Sequence, residues 1–197
     1  MLKNKHVVVT FVISMAFFLY AKSIDAQKLD RNIHLQTIVN APIQDVWKAW
    51  TTESGLESFL APDCEVDLRV NGSMDIFFYP EAPEGQRGAE NLHILAVENY
   101  RLLSFTWNNP AELPGIGNQQ THVLLKLFPA GKSANKTKLV LIHDGWGDGE
   151  LWDQAYRYFS KEWQNTVLFR LHYRFDKGPV NWSYPPKNTG KYHILVQ

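Results

Sequence analysis

The apolar positions of this chain follow two periods, one helical and one extended. The longest helical pattern begins near Glu150 and places seven apolar side chains at steps of three or four: Trp152, Tyr156, Phe159, Trp163, Val167, Leu171 and Phe175. Side chains at that spacing lie on one face of a helix. Because polar and charged residues occupy the opposite face, the pattern predicts one long amphipathic helix that packs against a broad apolar surface.

An alternation of apolar and polar residues predicts the strands that form this surface. The first strand covers residues 32–39, and the others cover 65–70, 73–79, 89–98, 101–107, 122–128 and 137–146. Between two of them, Asn71-Gly72 is typical of a two-residue hairpin. Since connections of hairpin length join most neighbouring strands, the sheet is expected to be antiparallel.

Two short helices are predicted between the first strand and the rest of the sheet. Pro42 suits the first position of a helix, and apolar side chains in residues 43–50 follow the helical period. A second helix reaches Phe59 before Pro62 ends it. Helices that are segregated from an antiparallel sheet define an α+β fold, here a curved sheet wrapped around a long C-terminal helix.

Length, charge and cysteine content narrow the class of protein. The 197 residues suit one domain, and the 20 basic and 20 acidic side chains cancel, so nothing indicates a nucleic-acid partner. Cys64 is the only cysteine, which excludes an intramolecular disulfide. The neighbouring Asp63 and Glu65 disfavour a thiolate, so we interpret Cys64 as structural or incidental.

The N-terminal residues have the pattern of a targeting segment. Lys3 and Lys5 precede an apolar run over residues 7–20, and a small residue, Ala26, follows. This run suits a signal peptide and is shorter than the ~20 residues that span a bilayer. We therefore predict a signal peptide over residues 1–26, cleavage near Ala26 and export to the periplasm or outside the cell, with no stable membrane span in the mature chain. Retention as an N-terminal anchor is the alternative.

Motifs for metal, cofactor or nucleophilic chemistry are missing from the sequence. The histidines fall on separate predicted elements without the short spacing of zinc ligands, and no serine or cysteine nucleophile motif is present. We therefore predict neither a metal nor a cofactor. The candidates for acid–base chemistry at one mouth of a cavity are His143, Asp144, Glu90, Glu150 and Tyr156. The same groups would equally orient a bound ligand.

Four segments together carry a family resemblance. They are residues 41–51 (Ala-Pro-Ile-Gln-Asp-Val-Trp-Lys-Ala-Trp-Thr), 70–73 (Val-Asn-Gly-Ser), 103–107 (Leu-Ser-Phe-Thr-Trp) and 137–146, where Thr-x-Leu-x-Leu-x-His-x-Gly-Trp leads into the long helix. In order and spacing the chain resembles the START-like (SRPBCC, polyketide-cyclase or birch-pollen-allergen-like) superfamily. It is most similar to the branch named after the C-terminal domain of the heat-shock-chaperone ATPase activator.

The resemblance implies a helix-grip domain over residues 30–176, followed by a C-terminal extension over 177–197. Two features depart from the family pattern. Glu162 precedes Trp163 where the family usually carries a Gly-Trp pair, and the loop over residues 108–117 is longer than expected. Both departures concern the cavity and the identity of its ligand rather than the fold.

The family implies a cavity between the sheet and the long helix that takes a small apolar or amphipathic ligand. His143 is its candidate polar contact, and the candidate walls are aromatic: Trp50, Phe59, Phe78, Trp107, Tyr156, Phe159 and Trp163. Those side chains either line an open cavity or fill a closed core. A cyclase or hydrolase acting in the same cavity, and a chaperone-ATPase regulator acting through its surface, are the alternatives. The ligand, any catalytic activity, the oligomeric state and the role of the tail stay open.

Overall fold

The computed structural model describes residues 31–110, 113–117 and 119–197. The predicted signal peptide, residues 1–26, lies outside the described residues, and its cleavage stays a prediction. Within the described part of the chain, no helix is both long and apolar enough to cross a membrane.

Nine strands among these described residues form two antiparallel sheets. In chain order they are β1 Ile33–Val39, β2 Asp63–Val66, β3 Met74–Phe77, β4 Gly88–Ala89, β5 Ile94–Glu98, β6 Leu102–Asn108, β7 Gln120–Ala130, β8 Lys136–Asp144 and β9 Ile194–Val196. The larger sheet has the order β5-β6-β7-β8-β1-β9, and the smaller one has the order β2-β3-β4. Every neighbouring pair is antiparallel, as the hairpin-length connections predict.

The helices follow the predicted order, and the last of them contains an irregular segment. Two short helices, α1 (Ile43–Thr51) and α2 (Glu53–Glu57), come before the smaller sheet. The long helix consists of α3 (Glu150–Glu162), a π-helical segment (Trp163–Leu168) and α4 (Phe169–Lys177). The α+β fold with a long C-terminal helix is therefore confirmed. The sequence did not predict the π-helical segment, because the apolar residues of this segment keep the spacing of an ordinary helix.

Two predicted strand boundaries are wrong. The strand expected over residues 65–70 ends at Val66, and a seven-residue connection replaces the two-residue hairpin. Asn71 does adopt a left-handed conformation, with φ of 64°, but its N–H donates to the carbonyl of Ile94 at 2.8 Å. The strand expected over 89–98 is split into β4 and β5, because Asn91 between them is also left-handed, with φ of 59°. Backbone hydrogen bonds to other strands, such as the one from Asn71 to Ile94, therefore set where these strands end.

The core lies between the larger sheet, the short helices and the inner face of the long helix. Phe159, Trp163 and Leu171 of the predicted stripe are buried on that face, as are Leu35 and Leu141 on the sheet. Burying an aliphatic side chain of this size contributes about 1.5–3 kcal/mol. The apolar stripe predicted from the sequence therefore holds the helix on the sheet.

The C-terminal tail packs against the domain in three places. The N–H of Val180 donates to the carbonyl of Ser58 at 2.9 Å, and the indole N–H of Trp182 donates to the carbonyl of Glu57 at 2.7 Å. Strand β9 then pairs with the free edge of β1. The tail, whose place the sequence left open, thus becomes the last strand of the larger sheet.

Candidate functional site

A groove of about 560 Å³ lies between the long helix, the end of β6 and the β3–β4 connection. Phe78 comes from that connection, and Trp107 lies on β6. The helix contributes Phe159, Trp163 and residues as far as Arg170, and the tail adds Trp182. The groove thus occupies the predicted space between sheet and long helix, with the tail along one side.

Three aromatic side chains form the floor of the groove. Trp107, Phe159 and Trp163 are 4%, 6% and 1% exposed. The ring centroids of Trp107 and Trp163 are 5.0 Å apart, and those of Trp107 and Phe159 are 6.5 Å apart with the rings nearly perpendicular. Such tilted and edge-to-face contacts are favourable for aromatic rings. The floor is therefore apolar and closely packed.

A chain of buried hydrogen bonds holds the floor in position. The indole N–H of Trp163 donates to Nδ1 of His143 at 2.8 Å, so Nδ1 has no proton. Nε2 of His143 then carries the proton and donates it to Oγ1 of Thr121 at 2.6 Å. The Thr121 hydroxyl donates to the carbonyl of Trp107 at 3.1 Å. The two tryptophans of the floor are thus connected through one imidazole and one hydroxyl.

The same contacts fix the charge of His143. Its side chain is fully buried, and burial lowers its pKa well below the ordinary value, with a smaller effect in the same direction from His122. A neutral imidazole suits this position, because both ring nitrogens already have a partner. His143 lies behind Trp163 and is not part of the groove wall. His143 therefore supports the floor from behind by accepting the hydrogen bond of Trp163.

Glu90 anchors the loop that forms one wall. Its carboxylate accepts hydrogen bonds from the N–H groups of Gly85 and Arg87 at 3.0 and 2.7 Å, and from the Arg87 guanidinium at 2.8 and 3.1 Å. Burial raises the pKa of Glu90, but these hydrogen bonds outweigh burial and lower the pKa. The carboxylate is therefore ionised, and its hydrogen bonds hold residues 85–87 beside the groove.

The π-helical segment forms the opposite wall. Trp163, Thr166 and Val167 line the groove, and Arg170 follows on α4. A π-helix has its hydrogen bonds between residues five apart and is frequently found at functional sites. Thr166 and Arg170, which lie outside the predicted apolar stripe, thus belong to the groove together with Trp163 and Val167 of that stripe.

Two polar atoms at the groove are buried without a hydrogen-bond partner. The first is Nε of Arg170. The second is Oδ1 of Asn109, whose Nδ2 donates to the carbonyls of Ile116 and Gln119 at 3.1 and 2.7 Å. Because a buried polar atom without a partner is costly, each site favours a polar group from a bound molecule.

The structure brings four of the eight predicted ligand contacts together. Phe78, Trp107, Phe159 and Trp163 line the groove. The other four do not line it: Trp50, Phe59, His143 and Tyr156.

Of these four, His143 lies behind the floor, as described above. The other three lie in separate packing environments. Trp50 and Phe59 are 1% and 0% exposed and pack edge to face at 5.0 Å within the core. The Tyr156 hydroxyl donates to the carbonyl of Asn32 at 3.1 Å, and its ring lies against Trp146. Periodicity identifies apolar positions, but it does not separate core from groove.

The five acid–base candidates do not meet at one mouth. Glu90 and His143 are held as described above, and Tyr156 donates to Asn32. Asp144 lies 3.3 Å from Nδ1 of His122 on the surface, and Glu150 is exposed in the first turn of α3. Each candidate therefore has a separate environment.

Sequence reasoning missed Arg170, Trp182 and Asn109. A signal for Arg170 was present, because it lies seven residues after Trp163 and thus two helical turns along the same side. The signal for Trp182 was weaker, an aromatic residue in a tail of unknown position. Asn109 had no such signal, because its place depends on a loop.

Two other features of the described residues lie away from the groove. Cys64 is buried, and burial together with Glu57 and Asp63 raises the pKa of its thiol to about 12, as a structural cysteine requires. A depression of about 290 Å³ lies under the tail, where the ring of Tyr192 stacks on His172 at 4.7 Å. No group of three or more metal-ligating side chains occurs in the part of the chain that the structure describes.

Solved structures share this fold at low sequence identity. Protein MLL2253 from Mesorhizobium loti is 20% identical with a TM-score of 0.59, covering 76% of this chain and 100% of its own. The Aha1 dimer from Colwellia psychrerythraea is 17% identical with a TM-score of 0.57, covering 75% and 98%. An HSP90 activator from Plasmodium falciparum is 16% identical with a TM-score of 0.52, covering 73% and 92%.

Comparison at the level of sequence gives the family. No curated protein matches the chain at a significant level. A profile of the family described as "Activator of Hsp90 ATPase homolog 1-like protein" matches residues 40–172. This range includes α1, both sheets except β1 and β9, and the long helix as far as His172. Since the match covers more than half of its length, the chain belongs to the Activator of Hsp90 ATPase homolog 1-like family.

Proposed function

We propose that this protein binds a small apolar or amphipathic molecule in the groove between the long helix and the sheet. The observation that carries the proposal is the floor of Trp107, Phe159 and Trp163 beneath a groove of about 560 Å³. Sites for small molecules commonly have volumes of about 300–1,000 Å³ and apolar linings with a few polar groups. Arg170 and Asn109 supply such polar groups here.

Binding is favoured over catalysis by the state of the acid–base candidates. Both ring nitrogens of His143 are engaged, and the Glu90 carboxylate accepts four hydrogen bonds. A general acid or base needs a proton-transfer atom within reach of the substrate. The floor presents aromatic carbon rather than such an atom, which suits a carrier or receptor for an apolar molecule.

The location of this function follows from the N-terminal sequence. We infer that the protein acts outside the cytoplasm, after cleavage near Ala26. The support is the basic start and the apolar run over residues 7–20. Sequencing the N-terminus of the protein recovered outside the cytoplasm tests this inference, and an uncleaved, membrane-bound product would contradict it.

A titration with a neutral apolar dye tests the groove. Nile red is expected to bind the wild-type protein with an increase in fluorescence. Thr166→Phe places an aromatic ring in the groove from a half-buried wall position, so it is expected to reduce binding at least tenfold. Asn165→Phe is the matched control, because Asn165 is exposed and is not part of the groove wall.

Both variants are first compared with wild type by thermal unfolding, so that loss of fold is separated from loss of binding. Equal dye binding by wild type and Thr166→Phe would place the dye elsewhere and contradict the groove. Failure of wild type to bind the dye, or any molecule from an organic extract, would contradict the proposed function.

A further inference from the structure

Arg170 supplies the cation among the described residues that line the groove, and it forms no ion pair with any of them. The described residues contain no acceptor within hydrogen-bond distance of its buried Nε. By contrast, Arg87 pairs with Glu90, and the guanidinium of Arg174 donates to Ser58 at 2.9 Å. The guanidinium of Arg170 is therefore set apart from these two, which are engaged within the domain.

The contact that Arg170 does make leaves its N–H groups available. The guanidinium carbon lies 5.2 Å from the centroid of the Trp182 ring, which is within range of a cation–π interaction. Such a contact stabilises the charge but accepts no hydrogen bond from the guanidinium. The cation is thus held in place by the tail while its donors remain unused.

Glu162 is the acidic group that faces the same groove. Its charge raises the pKa of Arg170, against the larger lowering caused by burial, but the two side chains form no ion pair. Glu162 thus acts on Arg170 through its charge alone and does not satisfy the buried Nε of the guanidinium.

The aromatic floor extends along the helix from this cation towards the N-terminal side. Trp163 and Phe159 precede Arg170 by seven and eleven residues on the same helix. The groove therefore has the guanidinium at one end and an aromatic floor along its length, with Glu162 on the wall beside the floor. This arrangement fits a molecule with an anionic head and an apolar body.

We propose that the ligand of this groove is an anionic amphiphile, with a carboxylate that binds the Arg170 guanidinium beside Trp182 and an apolar chain over the floor. The proposal rests on the proposed function and adds the charge of the ligand. A guanidinium presents a planar fork of donors that matches a carboxylate, and these charge-assisted hydrogen bonds are among the stronger ones in proteins. The guanidinium at the groove would thereby gain the acceptor that the described residues do not provide.

The test is a calorimetric titration with three probes that share one apolar chain: dodecanoate, dodecanol and dodecylamine. Near pH 8, wild type is expected to bind dodecanoate about tenfold more tightly than dodecanol, given the usual strength of a charge-assisted hydrogen bond. Arg170→Gln is expected to remove this preference, so that the ratio of the two affinities falls to about one. Arg157→Gln is the matched control, since Arg157 is exposed on the same helix and outside the groove.

The outcomes separate this inference from the proposed function. Equal affinity of wild type for dodecanoate and dodecanol would overturn the anionic head and leave the apolar groove in place. Tighter binding of dodecylamine would overturn it in favour of a cationic head at Glu162. Binding of none of the probes would overturn both proposals. Because the comparison of probes on wild type needs no variant, a folding defect of Arg170→Gln would not remove the test.

Discussion

The indole N–H of Trp163 donates to Nδ1 of His143 at 2.8 Å, and both side chains are almost completely buried. This bond sets the tautomer of His143, since the indole is only a donor. The imidazole must then donate through Nε2 to Thr121, whose hydroxyl reaches the backbone of Trp107. One hydrogen-bond chain therefore fixes the two tryptophans of the floor relative to each other.

The first prediction concerns Thr121, the hydroxyl in the middle of this chain. Thr121→Val keeps the shape of the side chain but leaves Nε2 of His143 without an acceptor. A buried polar group without its partner costs about 1–3 kcal/mol, so the free energy of unfolding should fall by that amount. Urea denaturation measures this change. Thr189→Val, at an exposed position, should change stability by less than about 0.5 kcal/mol.

If Thr121→Val were as stable as Thr189→Val, the hydrogen-bond chain would not support the floor. The same pair of variants also reports on the groove. Since Trp107 and Trp163 depend on the chain, Nile red affinity should fall in Thr121→Val and stay at the wild-type value in Thr189→Val.

The second prediction is a loss of stability in mild acid. Burial lowers the pKa of His172 to about 4, against a smaller opposite effect of Asp176, and lowers the pKa of His143 as well. Below pH 6.5 the unfolded chain therefore binds protons that the folded chain does not. The free energy of unfolding should decrease as the pH falls from about 6.5, by at most about 1.4 kcal/mol per pH unit for each histidine. For His172 the decrease ends near pH 4, where the folded chain also becomes protonated.

His172→Gln isolates one of the two histidines. Unfolding curves at several pH values should show a slope that is smaller by about one proton in this variant. His93→Gln, at an exposed position, serves as the control and should keep the wild-type slope. A wild-type slope in His172→Gln would mean that His172 is not held neutral by the fold.

The third prediction concerns the reactivity of Cys64. Because Cys64 is 2% exposed and the pKa of its thiol is raised to about 12, neither access nor ionisation favours reaction near neutral pH. A disulfide reagent such as Ellman's reagent should react with one thiol per chain in denaturant and with almost none in the native protein. Rapid reaction of the native protein would contradict the buried position of Cys64.

The fourth prediction concerns the tail. Deleting residues 191–197 removes β9 from the edge of β1, together with the Lys191–Asp176 ion pair and the Tyr192–His172 stack. The exposed edge of a sheet is a template for pairing with another chain. Light scattering should therefore show more association in the truncated protein than in the full chain at the same concentration.

A point variant separates the effect of losing strand β9 from the effect of losing the Lys191–Asp176 ion pair. Lys191→Gln removes an exposed ion pair, and such pairs contribute about 0–1 kcal/mol. It should therefore leave the state of association unchanged. Similar association of the truncated and full chains would show that β9 does not protect the edge of β1.

Much of the fold was predictable because it depends on local periodicity. The step of three or four from Trp152 to Phe175 predicted the long helix, and alternation predicted most strands of the larger sheet. Four of the eight predicted ligand contacts line the groove, among them Trp163 and Phe159, and their contact with a ligand stays a prediction. Trp50 and Phe59 show the limit of this reasoning, because a core position and a groove position carry the same apolar side chains.

The sequence by itself determined the type and order of the main helices and strands, since hydrophobic period and turn residues act over a few positions. The tertiary structure decided which aromatic side chains face a groove and that the tail pairs with β1. It also placed Arg170 at the groove, where its Nε has no hydrogen-bond partner among the described residues. These features depend on contacts between residues far apart in the chain, such as Trp182 beside Arg170 and Trp163 beside His143. Local pattern cannot specify such contacts, because the free energy that selects them comes from packing and desolvation in the completed fold.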